Sequence, residues 1–245
     1  MNAMRDRSSI LPLRVENLRY VADGLTLLDG VGFSAARGGM TMLLGPNGAG
    51  KTLTLKLCHG ILAPTSGEVR WALPGGAIEG RRAHAMLFQK PVMLRRSARG
   101  NIVHDLAAAG APWRGRRAQA MAVLERFGMT EAAEKPARLM SGGEQQRLAL
   151  ARAVALKPEV LFLDEPSANL DPGATRRFED LLAELKREGV TLIMSTHDLG
   201  QARRLADRVL FLHKGRLIED APADAFFAGP KTPEARAFLS GDLLW

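Results

Sequence analysis

The sequence predicts an α/β fold: a mostly parallel sheet flanked by helices, with a smaller antiparallel β portion and a helical insertion. Three observations predict it. Short apolar runs alternate with helical patterns along the chain, the order that builds a covered parallel sheet. One run-to-helix junction, Gly45-Pro46-Asn47-Gly48-Ala49-Gly50-Lys51-Thr52, fits G-x-x-x-x-G-K-[ST] in full. Between Pro91 and Arg138 the composition turns to Ala and Arg with helical spacing.

Taken in order, Leu13–Tyr20 alternates loosely and reads as a strand. Gly38-Gly39 is a turn, and Met40–Leu44 an apolar strand that enters Gly45. A helix is expected from about Gly50 to Leu62, stopped by Pro64. Strands are expected at Gly67–Trp71 and Ala85–Gln89, with a turn at Pro74-Gly75-Gly76. Within the Ala/Arg-rich stretch, Arg116–Phe127 puts Ala120, Met121, Leu124 and Phe127 on one helical face, with Gly128 as the stop. A helix from about Glu144 to Leu156 leads to the apolar run Val160–Leu163, which ends in Asp164-Glu165. Asp171-Pro172 supplies an N-cap and an N1 proline to a helix with the stripe Phe178, Leu181, Leu182 and Leu185. Val190–Ser195 is a strand, Asp198 caps a short helix, and Val209–Leu212 with Arg216–Glu219 form a hairpin around Lys214-Gly215. A short helical tail follows Ala221.

Composition narrows the class. With 46% hydrophobic residues the chain can bury a core. No apolar run approaches the roughly 20 residues of a membrane span. The start, Met1–Arg7, lacks the apolar segment of a secretory signal, and the lone Cys58 suits a reducing compartment and a core position. The net charge is +8, and between Arg81 and Arg117 nine basic residues face one acid, Asp105, which accounts for the whole excess. Such a patch suits anionic lipid, an acidic protein or nucleic acid, or is a solvated face. No aromatics alternate with these arginines as base stacking requires, so nucleic acid is the weakest of the partners.

The chemistry starts at the phosphate loop. Gly45, Pro46, Asn47, Gly48, Ala49 and Gly50 let backbone N–H groups approach phosphate oxygens at a helix N-terminus. Lys51 supplies a point charge, and Thr52 a hydroxyl for Mg²⁺. Asp164, at a strand end, is placed to orient Mg²⁺, and Glu165 beside it to polarise a water as general base. Ser141-Gly142-Gly143-Glu144 has the S-x-x-E spacing of a capping box. A plain cap does not need Gly-Gly at N1 and N2. Glycine there weakens the helix but opens its backbone donors to an anion.

With these residues in hand, the chain resembles the ATP-binding cassette (ABC) ATPases over about residues 13–220, with a P-loop NTPase core. Gly45–Thr52 matches Walker A, Met140–Gln145 resembles the L-S-G-G-Q signature, and Val160–Glu165 matches Walker B. Gln89 stands at the Q-loop glutamine, Ser167–Asp171 at the D-loop, His197 at the switch histidine, and Tyr20 where the family stacks an aromatic on adenine. Met140 for Leu and Glu144 for Gln are mild departures. The resemblance implies one ABC ATPase domain: an ATP-binding core at 10–90 and 139–220, a helical subdomain at 91–138, and a tail at 221–245. It implies a head-to-tail homodimer in which ATP lies between Walker A of one copy and Ser141, Gly142, Gly143 and Glu144 of the other. Glu165 would be the base, His197 would hold the γ-phosphate, and Thr52, Gln89 and Asp164 would hold Mg²⁺.

The same resemblance implies work on a membrane permease, at the cytoplasmic face of the inner membrane. Lys90–Ser97 would receive the permease, with exposed Val92, Met93 and Leu94 as an apolar dock. Phe88–Asn101, Ser141–Ala155 and Thr196–Asp207 look like bacterial importer ATPases that act with a solute-binding protein, and the combination of Gln89–Ser97 with Thr196–Asp207 most resembles tungstate importers and their phosphate and molybdate relatives. An importer of another solute, an exporter motor and a soluble cluster-assembly ATPase are the alternatives. The stretch from Pro91 to Arg138 is too short for the coiled coil of a repair clamp.

Overall fold

The computed structural model describes residues 9–78 and 81–242. Met1–Arg7, the end of the tail, and the side chains of Arg81 and Arg82 in the basic stretch lie outside the described residues. The strands are β1 (Leu13–Ala22), β2 (Leu25–Ala35), β3 (Met40–Leu44), β4 (Ser66–Arg70), β5 (Ala77–Ile78), β6 (Arg81–Arg82), β7 (His84–Leu87), β8 (Val160–Asp164), β9 (Thr191–Ser195), β10 (Arg208–His213) and β11 (Arg216–Pro222). The helices are α1 (Lys51–His59), α2 (Ala98–Ala108), α3 (Arg116–Arg126), α4 (Gly142–Ala155), α5 (Pro172–Arg187), α6 (Leu199–Leu205), α7 (Ala223–Ala228) and α8 (Pro233–Ser240).

The main sheet runs β11-β10-β3-β9-β8-β7. Every pair in it is parallel except β10 with β11, a hairpin turned at Lys214 and Gly215 with both φ positive. Its central strands β3, β8 and β9 are buried along their whole length, as strands covered on both faces must be. The period-2 pleat then sorts their side chains between two cores. Met40, Met42, Leu161, Leu163, Leu192, Met194 and Phe211 join the helices on one face. Leu43, Val160, Phe162, Ile193 and Leu210 join α1 and the antiparallel sheet on the other.

That antiparallel sheet has the order β2-β1-β4. Strand β2 is absent from the sequence expectation, and the reason is a bulge. Leu18 and Tyr20 of β1 are two residues apart, but their partners Val31 and Leu28 are three apart. Gly30, at φ 71, absorbs the extra residue and breaks the alternation. Two helix boundaries also differ from expectation. Helix α1 stops at His59, not Leu62, because Gly60 takes a left-handed C-cap at φ 81 before Pro64 is reached. Helix α4 starts at Gly142, not Glu144, on the Ser141 cap.

The stretch 91–138 holds α2 and α3, which pack on each other and on α4. Ile102, Leu106, Ala120, Leu124 and Phe127 are buried there. Asn101, fully buried, receives Leu94 N–H and donates to the carbonyls of Arg96 and Ser97, fixing the turn before α2. The basic surface is partly paired: Arg99 with Glu134, and Asp105 with Arg152 of α4.

Phe162 is fully buried between Trp71 and His59 on the sheet's second face. Phe162→Ala is expected to cost about 3–5 kcal/mol in urea unfolding with the m-value unchanged. A cost below about 1 kcal/mol would show that this face is not a packed core.

Candidate functional site

The phosphate loop joins the end of β3 to the start of α1. Gly45 has φ 143, and a Cβ there would collide with the Leu212 carbonyl oxygen. Gly50 has φ 103, and a Cβ there would run into Leu28. Only glycine fits either place. The loop is braced from two sides: Gly215 N–H donates to the Ala49 carbonyl (3.2 Å), and Asp29 N–H donates to the Gly215 carbonyl (2.9 Å). So β2 and the β10–β11 turn hold the loop they surround. Lys51 is buried and donates to the carbonyls of Gly45 (2.7 Å) and Pro46 (3.1 Å) of its own loop. Burial pulls its pKa below the ordinary ammonium value, while the charges of Glu165 and Asp164 act to raise it.

The carboxylates come from the end of β8. Asp164 is buried, and its Oδ1 accepts from the Thr52 hydroxyl (2.8 Å) and the Ser195 hydroxyl (2.8 Å). Asp164 and Ser195 face each other across the parallel β8–β9 pair, so sheet register delivers the second contact. Glu165 has left-handed backbone, φ 43. Its N–H donates to both the carbonyl and the hydroxyl of Ser195, each at 3.1 Å. These bonds hold a conformation that a side-chain-bearing residue rarely adopts. Its Oε2 lies 3.1 Å from His197 Nδ1. Glu165 borders a cavity of ≈ 230 Å³ together with Asn47–Leu53. On its other side Glu165 joins His197, Ser167 and Ala168 around a second cavity. The Ser167 end is fixed by buried Gln201, which hydrogen-bonds the Ser167 hydroxyl and Glu179.

Gln89 lies two residues beyond β7, with an exposed side chain. Its carbonyl accepts from Gln146 Nε2 (3.2 Å), which also donates to the Pro166 carbonyl (2.6 Å). Tyr20 is half-buried opposite Leu28, the residue packed on Gly50. Ser141 and Glu144 form the full capping box: Ser141 N–H donates to Glu144 Oε2 (2.7 Å) and Glu144 N–H to Ser141 Oγ (3.3 Å). Gly142 borders open space, and a Cβ on Gly143 would press on Ala174 of α5.

One cluster therefore gathers Lys51, Thr52, Asp164, Glu165 and His197. Ser141, Gly142, Gly143 and Glu144 border neither cavity and stand instead at the start of α4, beside α5. Two contributors are missing from the sequence reading. Ser195 carries a signal: a small polar residue follows the apolar run Leu192–Met194, two residues before His197. Gln146 has none, since its partners are carbonyls of two distant loops. The expected apolar dock is also corrected. Val92 is exposed, but Met93 is buried in the helical core and Leu94 is half-buried. The open apolar surface is a groove between Met86, Phe88, Pro91 and Val92 on one side and Ala149 and Ala153 of α4 on the other. Arg152 holds its rim through Asp105 and the Val92 carbonyl.

Residues 28–168 match the family described as ABC transporter. The chain is 37% identical over 218 residues to the tungstate uptake system ATP-binding protein TupC of Peptoclostridium acidaminophilum, spanning 89% of this chain and 100% of the relative. It is 33% identical over 251 residues to the phosphate import ATP-binding protein PstB 2 of Natronomonas pharaonis (95% and 88%). It is also 33% identical over 217 residues to the glutamate/aspartate import ATP-binding protein GltL of Escherichia coli (83% and 88%). Among solved structures, cbiO1 of Clostridium perfringens, part of the ABC transporter complex cbiONQ, aligns with a TM-score of 0.77 at 30% identity, over 90% of this chain and 91% of that one.

The capping box makes α4 sensitive to pH. Hydrogen bonding from the Ser141 backbone, with a smaller contribution from Lys135, holds the Glu144 carboxyl below its ordinary value of 4.5. A lowered folded pKa adds stability that is complete above pH 4.5 and is lost as pH falls through the folded value. Glu144→Gln is therefore expected to flatten the acid limb of a stability–pH curve. An unchanged limb in that variant would place the acid sensitivity elsewhere.

Proposed function

This chain belongs to the ABC transporter family and is an ATPase of the type found in importers, and from that premise we propose that it powers uptake of tungstate or a related oxyanion. The cluster of Lys51, Thr52, Asp164, Glu165 and His197 carries the ATPase part of the reading. The 37% identity to a tungstate uptake subunit over that protein's full length supports the cargo. Relatives that serve phosphate, methionine and glutamate make another solute the competing reading.

In the proposed reaction, backbone donors of Gly45–Gly50 and the N-terminus of α1 bind the triphosphate. Lys51 leaves its loop carbonyls to meet the β- and γ-phosphates. Glu165 accepts the proton of the attacking water, and His197 holds the γ-phosphate. The hydroxyl of Thr52 and the carboxylate of Asp164, 2.8 Å apart, are a hard oxygen pair that fits Mg²⁺, with the Gln89 amide as a further donor. When bound, Mg²⁺ offsets phosphate charge. Tyr20 stacks on adenine. Ser141, Gly142, Gly143 and Glu144 serve the nucleotide of a second copy, so two chains bind two ATP molecules head to tail.

We assign the ATP-binding core to 10–90 and 139–220, the helical subdomain to 91–138 and the tail to 221–245. No helix among the described residues is long and apolar enough to cross a membrane. The proposed transporter thus takes its spans from permease subunits, with this chain peripheral at the cytoplasmic face. The groove beside Val92 and α4 is where the permease docks, and a solute-binding protein acts through that permease.

Two measurements test this. Glu165→Gln is expected to keep ATP binding, lose turnover by about a hundredfold or more and run as a dimer with ATP in light scattering. A monomer with normal turnover would refute the assignment. Reconstituted with its permease, the ATPase is expected to be stimulated by binding protein loaded with tungstate or molybdate. Stimulation by an amino acid instead would replace the cargo.

A further inference from the structure

We infer that Gln146 is a positioning residue for ATP hydrolysis, one that ties the start of α4 to the Gln89 loop and the Glu165 loop of the same chain; this rests on reading the cleft as an ATPase centre. Gln146 is buried in α4, at 4% exposure. Its carboxamide has two N–H donors, and each meets a carbonyl: Gln89 O at 3.2 Å and Pro166 O at 2.6 Å. Because both partners only accept, the amide has one orientation, with nitrogen toward them. The remaining Oε1 is buried and accepts no hydrogen bond from any described residue. That orphan costs stability, and a Leu or Met would suit so buried a position without it. The polar side chain is explained by what it holds.

What it holds is specific. One carbonyl belongs to Gln89 itself, the other to the residue that follows Glu165. Pro166 has no N–H of its own to anchor that turn. A single side chain thus sets the spacing between the Gln89 backbone and the backbone next to the base. Gln146 also lies five residues past Ser141, about 7.5 Å along the helix axis. A load on the open N–H groups of Gly142 and Gly143 moves α4 as a rigid rod, and Gln146 passes the shift to both loops. Contact with one nucleotide is thereby coupled to the geometry around the other.

The test uses the full chain and the near-isosteric Gln146→Met, which removes both bonds. Expected are unfolding temperature and binding of a non-hydrolysable ATP analogue close to wild type, with kcat lower by about tenfold or more. Gln89→Ala should then add far less in the Gln146→Met background than alone. Gln146→Glu supplies a second readout. Its carboxylate faces two carbonyls, but once protonated it donates to one of them. Its turnover relative to wild type should therefore rise as pH falls. The inference is overturned by a Gln146→Met kcat within about twofold of wild type, by losses of kcat, binding and stability in parallel, or by a pH-independent Gln146→Glu ratio. Normal turnover in Glu165→Gln would instead sink the ATPase-centre reading on which the inference rests.

Discussion

One carboxylate oxygen, Asp164 Oδ1, accepts both the Thr52 and the Ser195 hydroxyls, and the rest of the site is arranged around that point. It joins the start of α1, the end of β8 and the end of β9. A buried carboxylate must be compensated, and two hydroxyl donors with Lys51 close by achieve this. The same Ser195 then holds the Glu165 backbone in its left-handed turn. The proposed base is aimed by the residue that hydrogen-bonds its neighbour. Parallel register is the cause, because it sets Ser195 directly beside Asp164.

The central architecture is legible in the sequence because burial on both faces leaves continuous apolar runs. Met42–Leu44, Val160–Leu163 and Leu192–Met194 are such runs, and their length and flanking turn signals read as strands. Turn chemistry is equally direct at Asp171-Pro172 and Lys214-Gly215. Legibility fails where a structural device interrupts the period. Gly30 inserts a bulge and hides β2. Gly60 ends α1 before the proline that sequence alone would choose. The dock fails for a related reason: Val92, Met93 and Leu94 are alike in the sequence, and only tertiary packing sends Met93 inward.

The candidate site divides in the same way. Groups fixed by local chain geometry, such as the phosphate loop and the Asp164-Glu165 pair, stand at predictable places on strand ends and turns. Groups fixed by long-range bonds do not. Gln146 reads as one more helix residue until its carbonyl partners, 57 and 20 residues away, are known. Ser141–Glu144 shows a third case, where one pattern serves two ends. Its hydroxyl and carboxylate form the cap within this chain, while the two glycines it encloses add nothing to helix stability.

Charge balance explains why those glycines matter. Lys51 and Glu165 border the phosphate-loop cavity with opposite charges, and Asp164 sits just behind them. Locally the protein is near neutral or slightly negative before a triphosphate enters. One helix N-terminus and one lysine leave much of that added charge unmatched. The divalent ion proposed at the Thr52–Asp164 oxygens would meet part of the need. Further backbone donors must come from elsewhere, since the open N–H groups of Gly142 and Gly143 border neither cavity of their own chain. In the proposed head-to-tail pair, a second chain would bring in such donors and a second helix dipole without adding a buried cation. Electrostatics thus supports the proposed site, completed by two chains and opened again when the γ-phosphate, its most negative part, is lost.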